Sequence, residues 1–240
     1  MIELRISPAE LRQRRERALS EVKAQGAGGF VLFNATSIFY LTGFAFIPTE
    51  RPAALVLGGD GGATLFVPRL EQEHAGEQAE VDAVRSYPEY PGEKHPMLHL
   101  AEILDGTGGT IAADAPGYGS AWGYDGPKLE DVLPGAKVIP FPKLIERHRV
   151  IKSPAEIALI RESARWGNLA HTLLQEYSLP GRTETEISSR ASLEATATMI
   201  KTLGPSFEPR GTRGAGASAG FRARSARIRL SPTPLRRTCV

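Results

Sequence analysis

Among its 240 residues the chain has one cysteine, Cys239, so no intramolecular disulfide can form and a reducing cytosol is the simplest compartment to expect. It also lacks any apolar run approaching the roughly 20 residues that span a bilayer. Its opening stretch, MIELRISPAELRQRRERALS, is charged throughout where a secretory signal would carry an apolar core. A soluble, cytoplasmic protein is the resulting expectation. There is no P-loop, no H-E-x-x-H pair and no paired-cysteine metal site. From Arg210 onward there is no Lys, Asp or Glu, yet the same stretch holds eight Arg. Setting those eight aside turns a net charge of +2 into 21 basic against 27 acidic residues. A mildly acidic body has no field to draw it onto nucleic acid, and in the tail only Phe221 offers a stacking surface. A nucleic-acid partner is therefore not expected.

What is present is an alternation of short apolar runs and helix-like stretches. SPAE occurs at Ser7–Glu10 and again at Ser153–Glu156, and each reads as a capping box, with a Ser to accept from the backbone three residues on, a Pro suited to the first helical position and a Glu to reach back to the cap. After the first predicted helix come GGFVLFN, a buried-strand run, and SIFYLTGF. AALVLGG, ATLFVP, VDAVRSY, GTIAAD and AKVIPF follow, bounded by Gly, Pro or Asp. RLEQEHAGEQA, PMLHLAEIL and GPKLEDVL lie between several of them. This pattern predicts an α/β domain with a helix-covered sheet. Beyond it, Ile157, Ile160, Ala164, Leu173, Leu174 and Tyr177 keep a helical stripe that Pro180-Gly181 stops, and Thr183 with Glu186 opens another helix toward Thr202. From Gly204 periodicity is lost and disorder is expected.

Few candidate sites survive inspection. His95 and His99 have the spacing of two metal ligands on a helix, but no Glu stands between them and Pro96 adjoins the first. They read better as solvated helix-start residues. Gly216, Ser218 and Gly220 match G-x-S-x-G without the strand and helix that a nucleophile elbow needs. The Gly117–Gly123 stretch lacks phosphate-cradle spacing and reads as a surface loop. No catalytic residue and no metal ligand is assigned.

Two stretches together are specific: SIFYLTGF followed by ERPAALVL, and ERHRVIKSPAEIALIRESARWGNLAH followed by PGRTETEIS. They resemble the creatinase/aminopeptidase P/prolidase family of Xaa-Pro peptidases, over roughly residues 1–209. The resemblance implies a creatinase-type, ribonuclease-H-like N-terminal domain over 1–145 and the first helices of an incomplete pita-bread catalytic domain over 146–209. An Arg-rich tail over 210–240 completes the division. It further implies hydrolysis of peptide bonds involving proline by two divalent metals (Mn, Co or Zn) held by Asp, His and Glu, with metal-bound hydroxide as nucleophile. Proline-containing peptides and a homodimer are the implied partners. In such dimers the N-terminal domain shapes its partner's active-site entrance, and Phe44, Phe46 and Arg51 are the candidates for that role here.

None of the family's metal-ligand motifs can be placed in this sequence. Its S-F-x-P segment survives as Ser206, Phe207, Glu208 and Pro209, but no acidic residue follows. The chain by itself is therefore expected to be inactive. Written with one permitted codon set and read two bases later, Ile228–Val240 encodes a stretch similar to the family's continuation, including its histidine. A frame-shifted remnant of a longer gene is the expectation for the tail. The rival reading is a non-catalytic peptide- or protein-binding creatinase-like module.

Overall fold

The computed structural model describes residues 5–88, 92–105, 109–119, 124–203, 208–209, 220–223 and 226–229. The chain divides into two compact units, one spanning Ser7–Ile151 and one taking up from Lys152.

In the first unit Ser7 caps α1 (Pro8–Lys23), accepting from the Glu10 amide at 3.2 Å. Glu10 does not return the bond as the sequence predicts; its carboxylate takes the Arg14 guanidinium instead. A six-stranded sheet follows, in the order β4-β3-β2-β1-β5-β6. Its strands are β1 (Gly29–Leu32), β2 (Ala54–Leu57), β3 (Ala63–Pro68), β4 (Ala83–Tyr87), β5 (Thr110–Ala113) and β6 (Lys137–Pro140). Only β2 runs against the other five. The mixed α/β architecture predicted from the alternation is thus present.

The inner strands β1, β2, β3 and β5 are buried on both faces because both faces are covered, whereas the edge strands β4 and β6 are partly exposed. Successive side chains of β1 point to opposite sides of the sheet: Phe30 and Leu32 join one core, Val31 and Phe33 the other. The first core is closed by Ala18, Leu19 and Val22 of α1, Ile38 and Leu41 of α2 (Ala35–Thr42), Ala75 of α3 (Gln72–Gln78), and Leu144 and Ile145 of α6 (Leu144–Val150). Met97, Leu100 and Leu104 of α4 (Pro96–Leu104) and Leu129 of α5 (Leu129–Val132) close the second.

In the second unit Ser153 and Glu156 form the reciprocal capping box that opens α7 (Pro154–Tyr177). Leu173 packs there with Ala191 and Ala195 of α8 (Glu184–Leu203), which starts at the Thr183–Glu186 pair. The backbones of β7 (Glu208–Pro209), β8 (Gly220–Ala223) and β9 (Ala226–Arg229) pair antiparallel. The rest of the 210–240 stretch lies outside the described residues, as do Ser206, Phe207, Gly216, Ser218 and Cys239. No helix among the described residues is long and apolar enough to cross a membrane.

Candidate functional site

The candidate residues sit on the connection between α2 and β2. Asn34 starts α2, its Oδ1 accepting from the amides of Thr36 and Ser37 at 3.0 Å each. Asp114, just past β5, fixes that corner by accepting from the amides of Phe33 (2.8 Å) and Asn34 (3.1 Å). Burial raises the Asp114 carboxyl above the usual aspartate value even though those amides pull it down. The helix ends at Gly43, whose φ of 74° is a left-handed C-cap that a side chain would strain. A Cβ there would meet only ordinary contacts, with Leu11 Cδ1 at 3.6 Å, so backbone conformation and not space is what requires glycine.

From Gly43 the chain enters residues 44–53 without regular structure. Phe44 turns inward and is fully buried in the first core. Phe46 stacks on it, centroids 5.5 Å apart and rings 16° from parallel, and the His74 ring lies 5.0 Å from Phe44 on another side. Ile47 is exposed. Arg51 is half-buried, its Nη1 donating to Glu50 Oε1 at 2.7 Å while its buried Nε has no hydrogen-bond partner. Of the three candidates, Phe46 and Arg51 are partly exposed, and the buried Phe44 anchors the loop that carries them.

Two tyrosines hold this loop from below. Tyr118 donates its hydroxyl to the Thr49 carbonyl at 2.8 Å, and Tyr87 donates to the Pro52 carbonyl at 2.9 Å. Both rings are buried, Tyr87 against Phe66 at 5.0 Å and Tyr118 edge-on to Tyr124 at 5.2 Å. Burial pushes both phenols far above the usual tyrosine range, so both remain donors across the physiological range.

Sequence reasoning did not single out two arginines of the charged opening stretch. Arg15 is buried and its Nη1 donates to the carbonyls of Leu41 (2.9 Å) and Glu80 (2.7 Å). Arg14 donates to the Tyr40 carbonyl at 3.1 Å and lies 4.0 Å over the Tyr40 ring. Together they satisfy carbonyls at the end of α2 that have no partner within the helix. The signal was positional: Arg15 stands four residues after Leu11 and three before Ala18, within the buried stripe of α1. Burial lowers the Arg15 pKa, opposed by Asp82 and Glu80.

The histidines do not converge. His95 caps α4, accepting from the Met97 amide at 3.1 Å, and its Nε2 lies 3.4 Å from the Tyr124 hydroxyl; burial lowers its pKa. His99 faces Glu102 at 3.6 Å. His148 is buried, its Nε2 2.6 Å from Glu21 Oε1 and its Nδ1 without a partner. Among the described residues no group of three or more His, Cys, Asp or Glu could hold a metal ion. The two-metal centre implied by the resemblance therefore finds no ligand set in this part of the chain.

Comparison with known proteins gives the fold a context. Comparison with curated protein sequences finds no match. Among solved structures, the prolidase from Pyrococcus horikoshii OT3 superposes with a TM-score of 0.57 at 19% identity, over 78% of this chain and 49% of that one. The Xaa-Pro dipeptidase from Bacillus anthracis gives 0.58 at 20% identity, over 80% and 50%. Dipeptidase PepE from Mycobacterium ulcerans gives 0.59 at 21% identity, over 94% and 59%. The match thus spans about half the length of the first two of these proteins. The model of the Creatinase/Prolidase N-terminal domain matches residues 14–151, more than half of the sequence and nearly the whole first unit. On that match, with the mixed sheet and its two helical layers in place, the chain belongs to the creatinase/prolidase N-terminal domain family.

Proposed function

We propose that this chain supplies the N-terminal domain of an Xaa-Pro dipeptidase or aminopeptidase P type of enzyme, together with the first helices of its catalytic domain. The observation that carries the reading is the order along the chain: a creatinase/prolidase N-terminal domain match over 14–151, then the boxed start of α7 at Ser153 and the start of α8 at Thr183. In this reading the complete enzyme is a cytoplasmic, homodimeric metallopeptidase that takes proline-containing peptides. In this reading hydrolysis is assigned to no residue of this chain, because none of the family's metal-ligand motifs can be placed in its sequence, and the chain by itself is expected to be inactive. Its contribution to the dimer is the loop ending at Arg51, with Phe46 and Arg51 facing the partner's active-site entrance and Phe44 holding them in place.

The test is proline release from Xaa-Pro dipeptides and longer Xaa-Pro peptides, with Mn(II), Co(II) or Zn(II) added in turn. No release is expected from the 240-residue chain. Turnover that scales with protein and stops with a chelator would overturn the assignment of inactivity. An intact mass measured on protein from the native source separates the remaining readings. A product heavier than this chain supports the peptidase, whereas a product of this mass that binds peptide saturably without turnover would replace it with a non-catalytic binding module.

A further inference from the structure

Beyond its buried anchor Phe44, the 44–53 connection is tied to the fold by few hydrogen bonds among the described residues. It forms no strand or helix, and Pro48 and Pro52 have no amide hydrogen to donate. Inside it, the Arg51 amide donates to Thr49 Oγ1 at 3.2 Å, a bond within the loop that does not fix it to the sheet. The two bonds that reach out of the second core are those of Tyr118 to Thr49 and Tyr87 to Pro52. They grip the backbone two residues before Arg51 and one residue after it. The rings come from separate places in the fold, Tyr87 from the end of β4 and Tyr118 from the segment after β5, and both are packed among aromatic neighbours.

We propose that Tyr87 and Tyr118 are positioning residues, whose hydroxyls set where Arg51 stands on the surface of the Ser7–Ile151 unit. Both tyrosines are buried, so each acts through the loop. The functional value of the clamp rests on the reading of that loop as part of a partner's entrance. Its physical content does not. A guanidinium with a buried, unpartnered Nε and an adjacent carboxylate needs a fixed backbone if it is to meet an incoming group in one geometry.

The experiment compares Tyr118→Phe, Tyr87→Phe and the parent chain by amide hydrogen exchange and by the rate at which phenylglyoxal modifies Arg51, read by peptide mapping. Each substitution removes one oxygen and keeps the buried ring. Exchange of the Arg51 amide is expected to rise about fivefold to tenfold in either variant, as does Arg51 modification, while core amides such as Val31 stay unchanged. Unchanged loop exchange in both variants overturns the proposal. So does a rise shared equally by Arg51 and Val31, because the hydroxyls would then be holding the fold and not the loop. A third variant, Arg51→Gln, separates this from the reading beneath it. If the clamp variants loosen the loop but Arg51→Gln leaves peptide binding and dimerisation of the native product unaltered, the clamp stands and the entrance role fails.

Discussion

Replacing Arg15 by Met tests whether a residue in a charged run is part of the core. The substitution keeps an unbranched apolar stem of similar length, so little packing is lost and the change falls on the guanidinium. What disappears is a charged donor to two carbonyls, Leu41 at 2.9 Å and Glu80 at 2.7 Å, one of them at the end of α2. A hydrogen bond to a charged group contributes about 1.5–3 kcal/mol, and a stranded buried acceptor costs about 1–3 kcal/mol, so losing both contacts should destabilise the first unit by about 3–5 kcal/mol. With a urea m-value of about 2 kcal/mol/M the unfolding midpoint should fall by about 1.5–2.5 M. The transition is best followed through amide exchange of β1 peptides, which report the first unit alone. Arg12→Met is the control, since Arg12 is exposed on the same helix and should shift stability by less than about 0.5 kcal/mol. Equal midpoints for the two variants would refute the argument and return Arg15 to the status of a surface charge.

Other consequences are open to measurement. Asn34→Ala should cost about 1 kcal/mol by removing the cap on the Thr36 and Ser37 amides, and Gly43→Ala about 1–2 kcal/mol through its left-handed φ; thermal melts of each variant check both. Glu21 is pushed up by burial but pulled down further by hydrogen bonds from His148 and then Arg17, so its pKa lies below the ordinary glutamate value. A depressed carboxylate stabilises above its unfolded pKa and loses that contribution as pH falls through the folded one. Stability of the parent should therefore fall more steeply than that of Glu21→Gln below about pH 4.3, by a modest amount because the carboxylate is 40% exposed; parallel Tm curves would contradict this. Ile160 and Leu193 are exposed on α7 and α8, at 50% and 72%. Replacing both by Ser should reduce self-association in light scattering, and an unchanged scattering profile would show that these side chains do not drive it.

Much of this fold was legible because the strands announce themselves. GGFVLFN, AALVLGG and ATLFVP are apolar at consecutive positions, which suits strands buried on both faces, and turn residues bound each of them. The helix starts at Ser7 and Ser153 were readable from cap chemistry alone. SIFYLTGF was harder, since a short apolar run carries no decisive period; the Asn34 cap and the Gly43 stop make it α2. The arginines were missed because composition assigns charge to the surface, whereas Arg14 and Arg15 are paid back by helix-end carbonyls distant in sequence. The same holds for the tyrosine clamp, whose bonds join residues 35 and 69 positions apart. Local patterns state what a segment prefers to be, and they are silent on which distant carbonyl a side chain will find.

The one reversed strand also has a kinetic meaning. Because β2 runs against β1 and β3, these three form a meander of neighbours, with Phe30 facing Leu57 and Ala54 facing Phe66, so they can assemble early with small loop-closure cost. The other side of β1 has to wait, since its parallel partner brings Ala112 to Phe30 from far along the chain. A nascent chain that has emerged only as far as β4 would carry β1 as an open hydrophobic edge, able to recruit the wrong strand until β5 arrives. Strand order thus sets an interval in the synthesis of this domain, between the emergence of β4 and that of β5, in which β1 lacks its second partner.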